Sequence, residues 1–247
     1  MEQSHILEVS HLAIMFRSVV ALEDVSLQVR AGEILALLGA DGAGKSTVMK
    51  ILGGLYPAKS YQGEIVLAGE PVVFNTPRDA IGRGISVVPR RPGVFGSLSV
   101  AENIVMGRWE TSRGFMINKH AVQQQAEETL RWLGVTLDLD ARAEQLDPAQ
   151  KRVVALARAV STKPRLVVLD EPAANLDIVT EREVLTTIEA LTAGRTTLII
   201  THHLIGLERA DEILVLDRGR IVERGRHDEL LARGGLYRRM WERRQQL

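Results

Sequence analysis

The chain has 247 residues, of which 45% are hydrophobic and 25% are charged, a composition typical of globular proteins. Its 31 basic residues balance 31 acidic ones, so it lacks the basic excess that favours nucleic-acid binding, and no nucleic-acid partner is expected. The sequence contains no cysteine, which excludes disulfides and cysteine-ligated zinc. No apolar run reaches the ~18 residues that span a bilayer, and residues 1–5 do not resemble a signal peptide. We therefore expect a cytoplasmic chain that reaches a membrane only through a partner.

Two kinds of strand pattern occur along the chain. Residues 6–30 and 63–74 alternate apolar and polar positions, which predicts antiparallel strands with one buried face, the second pair around a turn at 69–71. Continuous apolar runs predict strands that are covered on both faces of a parallel sheet, at 34–38, 166–169, 197–200 and 213–216. Helical patterns lie between these runs, which indicates an α/β fold.

The segment from about 91 to 160 is predicted to be a helical insertion in this core. Asn118 is placed to cap a helix over about 119–133. The apolar face of that helix contains Val122, Ala126, Leu130 and Leu133. A second helical stripe contains Val153, Val154, Leu156, Ala157 and Val160. The arginine-rich tail at 233–244 is expected to be a solvated terminal helix.

A phosphate-binding loop follows the apolar run at 34–38. Residues 39–47 read G-A-D-G-A-G-K-S-T, the glycine-rich pattern whose backbone N–H groups bind phosphate oxygens. Lys45 is placed to reach the β- and γ-phosphates and Ser46 to ligate Mg²⁺, while the helix that begins near Lys45 adds the positive end of its dipole. The predicted nucleotide-binding residues here are Gly39, Ala40, Asp41, Gly42, Ala43, Gly44, Lys45, Ser46 and Thr47.

A second group of polar residues follows two later apolar runs. Asp170 ends the run at 166–169 and is placed to hold Mg²⁺, directly or through water. Glu171 lies one residue further on, so it points elsewhere and can polarise the attacking water. His202 follows the next run and is a candidate contact for the γ-phosphate or the water. With Lys45, these residues predict a nucleoside triphosphatase in which Lys45, Glu171 and His202 are catalytic and Ser46 and Asp170 hold the metal.

The order of these parts, with an Ala-Asn-Leu-Asp turn at 174–177 before the histidine, resembles that of the ATP-binding cassette ATPases of ABC transporters. The resemblance spans the chain and implies a RecA-like P-loop NTPase forming one domain over 1–247. It implies a mostly parallel core with an antiparallel β subdomain over 1–90 and 161–247, and an inserted α-helical subdomain over about 91–160. It also implies ATP and Mg²⁺ as cofactors, transmembrane permease subunits as partners, and a peripheral location on the cytoplasmic side of the cell membrane.

The resemblance also assigns residues outside the loop. Phe16, which lies 29 residues before Lys45, matches the aromatic residue that stacks on adenine. Asp177 matches the aspartate of a turn that crosses between subunits. Residues 146–150 stand where the family has its L-S-G-G-Q signature, so Asp147 and Gln150 are expected to approach ATP held by a second cassette that faces this one head to tail.

The chain departs from the family pattern at two places. Asp147 would bring a negative charge toward the γ-phosphate of the partner, Pro148 removes an N–H group, and Ala149 adds a Cβ. Arg90 replaces the family's glutamine and cannot ligate a cation. It either pairs with the γ-phosphate or turns to the surface, so impaired coupling and a benign exchange both stay open. A second cassette, identical or different, is expected as a partner, and our hypothesis is an asymmetric pair with one active and one degenerate site.

The two ends of the chain resemble different transporters. Residues 52–107 are similar to monosaccharide importers, whereas residues 223–237 are similar to the ends of exporter cassettes. The predicted function is the ATP-hydrolysing subunit of a sugar-type or small-solute importer, with an external solute-binding protein as a further partner. The alternatives are an exporter cassette, a regulatory cassette with little ATPase activity, and a soluble cassette ATPase that acts on DNA or ribosomes, which the neutral charge disfavours.

Overall fold

The computed structural model describes residues 5–107, 111–112, 116–174, 176–202, 204 and 206–245. These residues divide into two compact units, each with its own internal packing. The first unit takes its residues from 1–87, 165–171 and 194–247, and the second from 88–164 and 172–193. Asn175 of the predicted Ala-Asn-Leu-Asp turn lies outside the described residues.

The strands and helices alternate along most of the chain. The strands are β1 (His5–Phe16), β2 (Val19–Arg30), β3 (Ile34–Leu38), β4 (Gln62–Leu67), β5 (Glu70–Pro71), β6 (Ile85–Val88), β7 (Thr111–Ser112), β8 (Met116–Ile117), β9 (Leu166–Asp170), β10 (Thr197–Thr201), β11 (Glu212–Asp217) and β12 (Arg220–Gly225). The helices are α1 (Lys45–Leu52), α2 (Pro77–Gly82), α3 (Val100–Ile104), α4 (Lys119–Trp132), α5 (Pro148–Ser161), α6 (Ile178–Thr192), α7 (His227–Arg233) and α8 (Leu236–Gln245). Single 3-10 turns cover Ala58–Ser60, Ala143–Gln145 and Leu207–Arg209.

The core of the first unit is a sheet with the strand order β5-β4-β1-β2-β12-β11-β3-β10-β9-β6. β10 runs parallel to both β3 and β9, and β11 runs parallel to β3, so the four continuous apolar runs form the predicted parallel core. Both faces of β3 are buried, since Leu35 and Leu37 belong to one hydrophobic cluster and Ala36 and Leu38 to another. α1 packs into the first cluster, and α7 and α8 pack into the second.

The predicted antiparallel strands are confirmed and continue the same sheet. β1 pairs antiparallel with β2 and β4, and β2 meets β12 through a parallel bridge between Asp24 and Arg220. The turn predicted at 69–71 lies one residue earlier. Leu67 pairs with Glu70, so Ala68 and Gly69, with φ of 52° and 80°, make the reversal. These positive φ values suit the tight turn and leave residues 70–71 to form β5.

The second unit contains α3 to α6, with α5 packed against α3, α4 and α6. The predicted cap of α4 is confirmed, because the Asn118 side chain accepts a hydrogen bond from the Ala121 N–H at 3.2 Å. The predicted apolar faces of α4 and α5 are also confirmed, since all their named members are buried.

The terminal helix corrects one prediction. α8 forms within the arginine-rich tail, but Tyr237 is fully buried instead of solvated. Its hydroxyl lies 2.6 Å from His227 Nδ1, and the Trp241 ring lies 4.7 Å from the His227 ring. Burial raises the pKa of Tyr237 above its ordinary value. Residues 237 and 241 are four apart and share one face of the helix, whereas Arg238, Arg239 and Arg243 are exposed.

Candidate nucleotide-binding site

Apart from Phe16, the predicted site residues of the first unit lie at the carboxyl ends of three adjacent parallel strands. Thr201 of β10 pairs with Leu38 of β3, and Ile200 pairs with Asp170 of β9. Neighbouring strands are ~4.8 Å apart, so the phosphate loop, the histidine and the two carboxylates leave the sheet at the same edge, with β10 in the middle. Ligands of open parallel sheets bind in the crevice outside this edge.

The glycines of the loop serve two different purposes. Gly44 has φ of 109°, and a Cβ there would lie 2.5 Å from the Ala21 carbonyl oxygen, so this position needs both the conformation and the space. Gly42 has φ of 81°, but a Cβ there would meet nothing within 4 Å. The loop is therefore packed against β2 at Gly44 and open at Gly42, where backbone N–H groups can reach a phosphate. Asp41, beside Gly42, is exposed.

Lys45 is held inside the loop. It is only 5% exposed, and its ammonium donates hydrogen bonds to the carbonyl oxygens of Gly39 at 2.7 Å and Ala40 at 3.0 Å. It is also the first residue of α1, whose N-terminus has no side-chain cap and no acidic residue in its first turn. The ammonium and the positive end of the helix dipole therefore favour an anion at the same place.

Glu171 and His202 form a close pair. Glu171 Oε1 lies 2.5 Å from His202 Nδ1, and the Thr201 hydroxyl donates to Glu171 Oε2 at 3.4 Å. Glu171 is 4% exposed and has φ of 49°, a left-handed conformation that non-glycine residues seldom adopt. Its N–H donates to the Ile200 carbonyl at 2.8 Å, which helps to hold that conformation. Such strained backbone is common at functional sites.

The sequence did not predict this pair. It predicted a separate contact with nucleotide or water for each of the two residues. Thr201 was missed altogether. The available signal was its place, since a hydroxyl at the end of β10 lies beside the end of β9, where the carboxylates are. Sequence alone does not show which way such a side chain turns.

Asp170 and Ser46 offer the oxygen ligands that Mg²⁺ prefers. Asp170 is 5% exposed, whereas Ser46 is exposed. Within the described ranges, no group of three or more His, Cys, Asp or Glu side chains is arranged to hold a metal ion. Two protein ligands suffice where phosphate oxygens and water complete an octahedron, so this donor set fits Mg²⁺ bound together with a nucleotide.

Phe16 ends β1 and is 38% exposed. Its ring centroid lies 5.1 Å from that of Tyr56 at an interplanar angle of 50°. Tyr56 was not singled out from the sequence, because a contact between residues 40 positions apart leaves no local pattern.

Asp147 and Gln150 lie in the second unit at the start of α5. Asp147 Oδ1 accepts a hydrogen bond from the Gln150 N–H at 2.8 Å, and Gln150 Oε1 accepts one from the Asp147 N–H at 3.2 Å. With Pro148 as the first helical residue, this arrangement is a complete capping box. The approach of these residues to a partner's ATP remains a prediction.

Two further residues of the second unit bear on the predictions. Asp177 accepts hydrogen bonds from the N–H and the hydroxyl of Thr180 at 3.1 Å and 2.6 Å, so it caps the first turn of α6. Arg90, two residues after the end of β6, is exposed. Pairing of Arg90 with a γ-phosphate and its turn to the surface both remain predictions.

A glycine-rich loop between a buried parallel strand and a helix, with lysine as the first helical residue and an Asp-Glu pair ending a nearby strand, defines a P-loop nucleoside triphosphatase. A sequence profile of the ABC transporter family matches residues 22–174. The xylose/arabinose import ATP-binding protein of Sulfolobus acidocaldarius is 37% identical over 229 residues, which cover 92% of this chain and 90% of that protein. The chain therefore belongs to the ABC transporter family and is its nucleotide-binding, ATP-hydrolysing cassette.

Two further relatives extend this result. The ATP-dependent lipid A-core flippase of Xanthomonas oryzae pv. oryzae is 37% identical over 219 residues, which cover 88% of this chain but 36% of the flippase. A solved ATP-binding cassette of an ABC transporter, in its ADP conformation, is 26% identical with a TM-score of 0.78 and 92% of each chain covered. The predicted family, fold class and ATPase activity are confirmed, and both importer and exporter relatives are present.

As a cassette of this family, the chain works with membrane permease components, which confirms the broader part of the partner prediction. None of the helices in the described ranges is long and apolar enough to cross a membrane.

Proposed function

We propose that residues 39–47 bind the triphosphate of ATP, that Ser46 and Asp170 hold Mg²⁺, and that Glu171 polarises the attacking water. The observation that carries this proposal is the convergence of the Lys45 ammonium and the Glu171–His202 pair at the ends of β3, β9 and β10. Mg²⁺, when bound, neutralises charge on the phosphate oxygens. The helix N-terminus and Lys45 add fixed positive charge from the protein.

Glu171 accepts a proton from the attacking water, and His202 orients the Glu171 carboxylate. His202 Nδ1 lies 2.5 Å from Glu171 Oε1, so the ring and the carboxylate hold each other in a defined orientation. We also propose a contact between His202 and either the γ-phosphate or the attacking water.

The replacement Glu171→Gln tests the assignment of the base. We expect ATP binding to persist while turnover falls by ~10²- to 10⁴-fold, the usual contribution of a general base. The matched control is Glu183→Gln, an exposed glutamate of α6, which should retain turnover. Equal turnover in the Glu171→Gln variant and the unaltered chain would refute the assignment.

We further propose that the chain pairs with a different cassette, so that one composite site is active and the other is degenerate. The Asp147 carboxylate is fixed at the N-terminus of α5 by its bond to the Gln150 N–H. In a pair of identical chains, that carboxylate would approach each γ-phosphate, and like charges repel. Purified chain should therefore hydrolyse ATP slowly by itself. Turnover as fast as that of ordinary cassettes, measured on the isolated chain, would contradict this asymmetry.

For the transported solute, we propose a pentose-type monosaccharide that is imported. The support is the Sulfolobus relative, which is named for xylose and arabinose import and of which the chain spans 90%. The partners would be permease subunits, the second cassette proposed above and an external solute-binding protein, with the cassette on the cytoplasmic side. In vesicles with these partners, xylose or arabinose with the binding protein should stimulate ATP hydrolysis several-fold. Failure of both sugars to stimulate hydrolysis by the assembled transporter would contradict the proposal.

The second candidate is an exporter cassette, which the flippase relative favours. The direction of transport separates the two. In inverted vesicles with the cassette outside, an importer moves solute out of the lumen, whereas an exporter moves it into the lumen.

A further inference from the structure

The predicted adenine platform lies at the tip of a hairpin. Phe16 pairs with Val19 across the end of β1 and β2, so only residues 17 and 18 lie beyond it. The neighbouring side chains, Met15 and Val19, are 62% and 66% exposed. Such a tip supplies few contacts that would hold an aromatic ring in one rotamer, and ordering a free side chain during binding costs entropy.

Tyr56 supplies the missing contact. Its ring centroid lies 5.1 Å from that of Phe16, within the range of favourable aromatic pairs. Tyr56 is half-buried and packs against the main hydrophobic cluster of the first unit. Its own position is therefore fixed by the core and not by the hairpin tip.

Tyr56 is also attached to the helix of the phosphate loop. Its N–H donates to the Lys50 carbonyl at 3.3 Å, and the Leu55 N–H donates to the same oxygen at 2.8 Å. The Lys50 ammonium lies 5.7 Å from the centroid of the Tyr56 ring, within cation–π distance. Lys50 belongs to α1, the helix that begins with Lys45 and Ser46.

We infer that Tyr56 is a positioning residue for nucleotide binding: it orients the Phe16 ring and connects the base platform to the helix of the phosphate loop. The inference rests on the proposed nucleotide binding and on the expectation, implied by the family resemblance, that Phe16 stacks on adenine. A single helix and its C-terminal turn then determine the spacing between the bound base and the bound triphosphate. Preorganised spacing of this kind lowers the entropy that binding must overcome.

Loss of the Tyr56 ring is expected to weaken binding only of ligands that contain the adenine base. An aromatic pair contributes roughly 0.5–1.5 kcal/mol, which corresponds to a ~2- to 10-fold change in affinity. Tyr56→Leu keeps an apolar side chain for the core but removes the ring, so affinity for MgATP should fall ~2- to 10-fold. Affinity for inorganic tripolyphosphate, which has no base, should stay unchanged. The Michaelis constant for ATP should rise while kcat is retained.

The experiment measures binding of MgATP and of inorganic tripolyphosphate to the full chain by calorimetry. Tyr56→Phe keeps the ring and should restore normal MgATP affinity. Tyr61→Leu is the matched control, since Tyr61 is also half-buried against the same cluster but is not a ring partner of Phe16 within the described residues. It should leave the ratio of the two affinities unchanged even where it lowers stability.

A parallel variant, Phe16→Ala, separates failure of the inference from failure of the proposed function. Loss of base stacking should lower MgATP affinity ~5- to 100-fold and spare tripolyphosphate. If Phe16→Ala shows this loss while Tyr56→Leu changes neither affinity, or weakens both ligands equally, the inference is overturned and the role of Phe16 stands. If Phe16→Ala leaves the ratio unchanged, the adenine role of Phe16 is wrong and the inference is overturned with it.

Discussion

The N-termini of α1 and α5 differ in what satisfies their first N–H groups. α1 follows Gly44 and has no side-chain cap. α5 follows Asp147, whose carboxylate accepts the Gln150 N–H at 2.8 Å. Every α-helix begins with unsatisfied N–H groups and the positive end of a dipole. In α1 no side chain caps these N–H groups, which suits the proposed phosphate, whereas in α5 a carboxylate of the chain itself accepts one of them.

Short local sequences produce this difference. In α1, glycines place the backbone in conformations that other residues avoid, and the lysine adds positive charge. In α5, the sequence Asp-Pro-Ala-Gln has the spacing of a capping box with proline at the first helical position. A helix N-terminus is thus a phosphate site only where the residues around it do not already cap it.

The largest expected effect comes from removing the cation of α1. Lys45→Ala should lower ATP turnover by ~10²-fold or more, because the proposed contact between a buried ammonium and the phosphates is lost. Lys151→Ala, in the first turn of α5, is the control and should lower turnover less than ~3-fold, since surface charges contribute little. Steady-state phosphate release measures both. Similar losses in the two variants would remove the distinction between the helices.

The next effect concerns the glycines that shape the N-terminus of α1. Gly44→Ala should lower the free energy of unfolding by more than ~2 kcal/mol, since it combines backbone strain with a collision. The collision is with the Ala21 carbonyl oxygen, 2.5 Å from the added Cβ. Gly42→Ala brings strain without a collision and should cost only ~1 kcal/mol. Urea unfolding compares the two, and equal costs would contradict the packing assigned to Gly44.

A third change converts α5 toward the family signature. The triple variant Asp147→Ser, Pro148→Gly, Ala149→Gly should raise ATP turnover of the isolated chain ~10-fold, because a repulsive charge is replaced by a hydrogen-bond donor. Asp147→Asn isolates the charge, since asparagine also caps helices well. No gain in turnover for either variant would show that the Asp147 carboxylate does not limit hydrolysis.

The smallest effect is the loss of the cap itself. Asp147→Ala should lower the free energy of unfolding by ~1 kcal/mol, which for a chain of this length shifts Tm by roughly 2–4 °C. Asp147→Asn should leave Tm within ~1 °C. Calorimetric melting distinguishes them, and unchanged melting of Asp147→Ala would refute the capping role.

Local patterns predicted much of the fold and of the site. Features that depend on neighbours in sequence could be predicted. They are the apolar runs of β3, β9, β10 and β11, the Asn118 cap and the phosphate loop. The capping box of α5 was equally readable, since Asp147 and Gln150 have its spacing. For Asp147 we predicted only a repulsion between its charge and the phosphate of a partner. The capping bond of this carboxylate is observed, whereas its approach to a partner's phosphate remains a prediction.

Contacts between distant residues account for the rest. The Phe16–Tyr56 pair joins positions 40 apart, and Glu171 and His202 are 31 apart. Their geometry follows from the order of strands in the sheet, which no local pattern gives. The burial of Tyr237 was missed because arginines dominate the composition of its helix, while the side chains that pack against the core are those of Leu236, Tyr237, Met240 and Trp241.

The contrast between α1 and α5 can be tested in one measurement on the Glu171→Gln variant. Light scattering after size-exclusion chromatography with MgATP reports the molecular mass, and nucleotide extracted from the desalted peak reports the number of ATP molecules per chain. The account predicts one ATP per chain, bound at α1, and the mass of a single chain, because Asp147 keeps α5 from completing a second copy's site. A dimer that holds two ATP molecules under these conditions would contradict it.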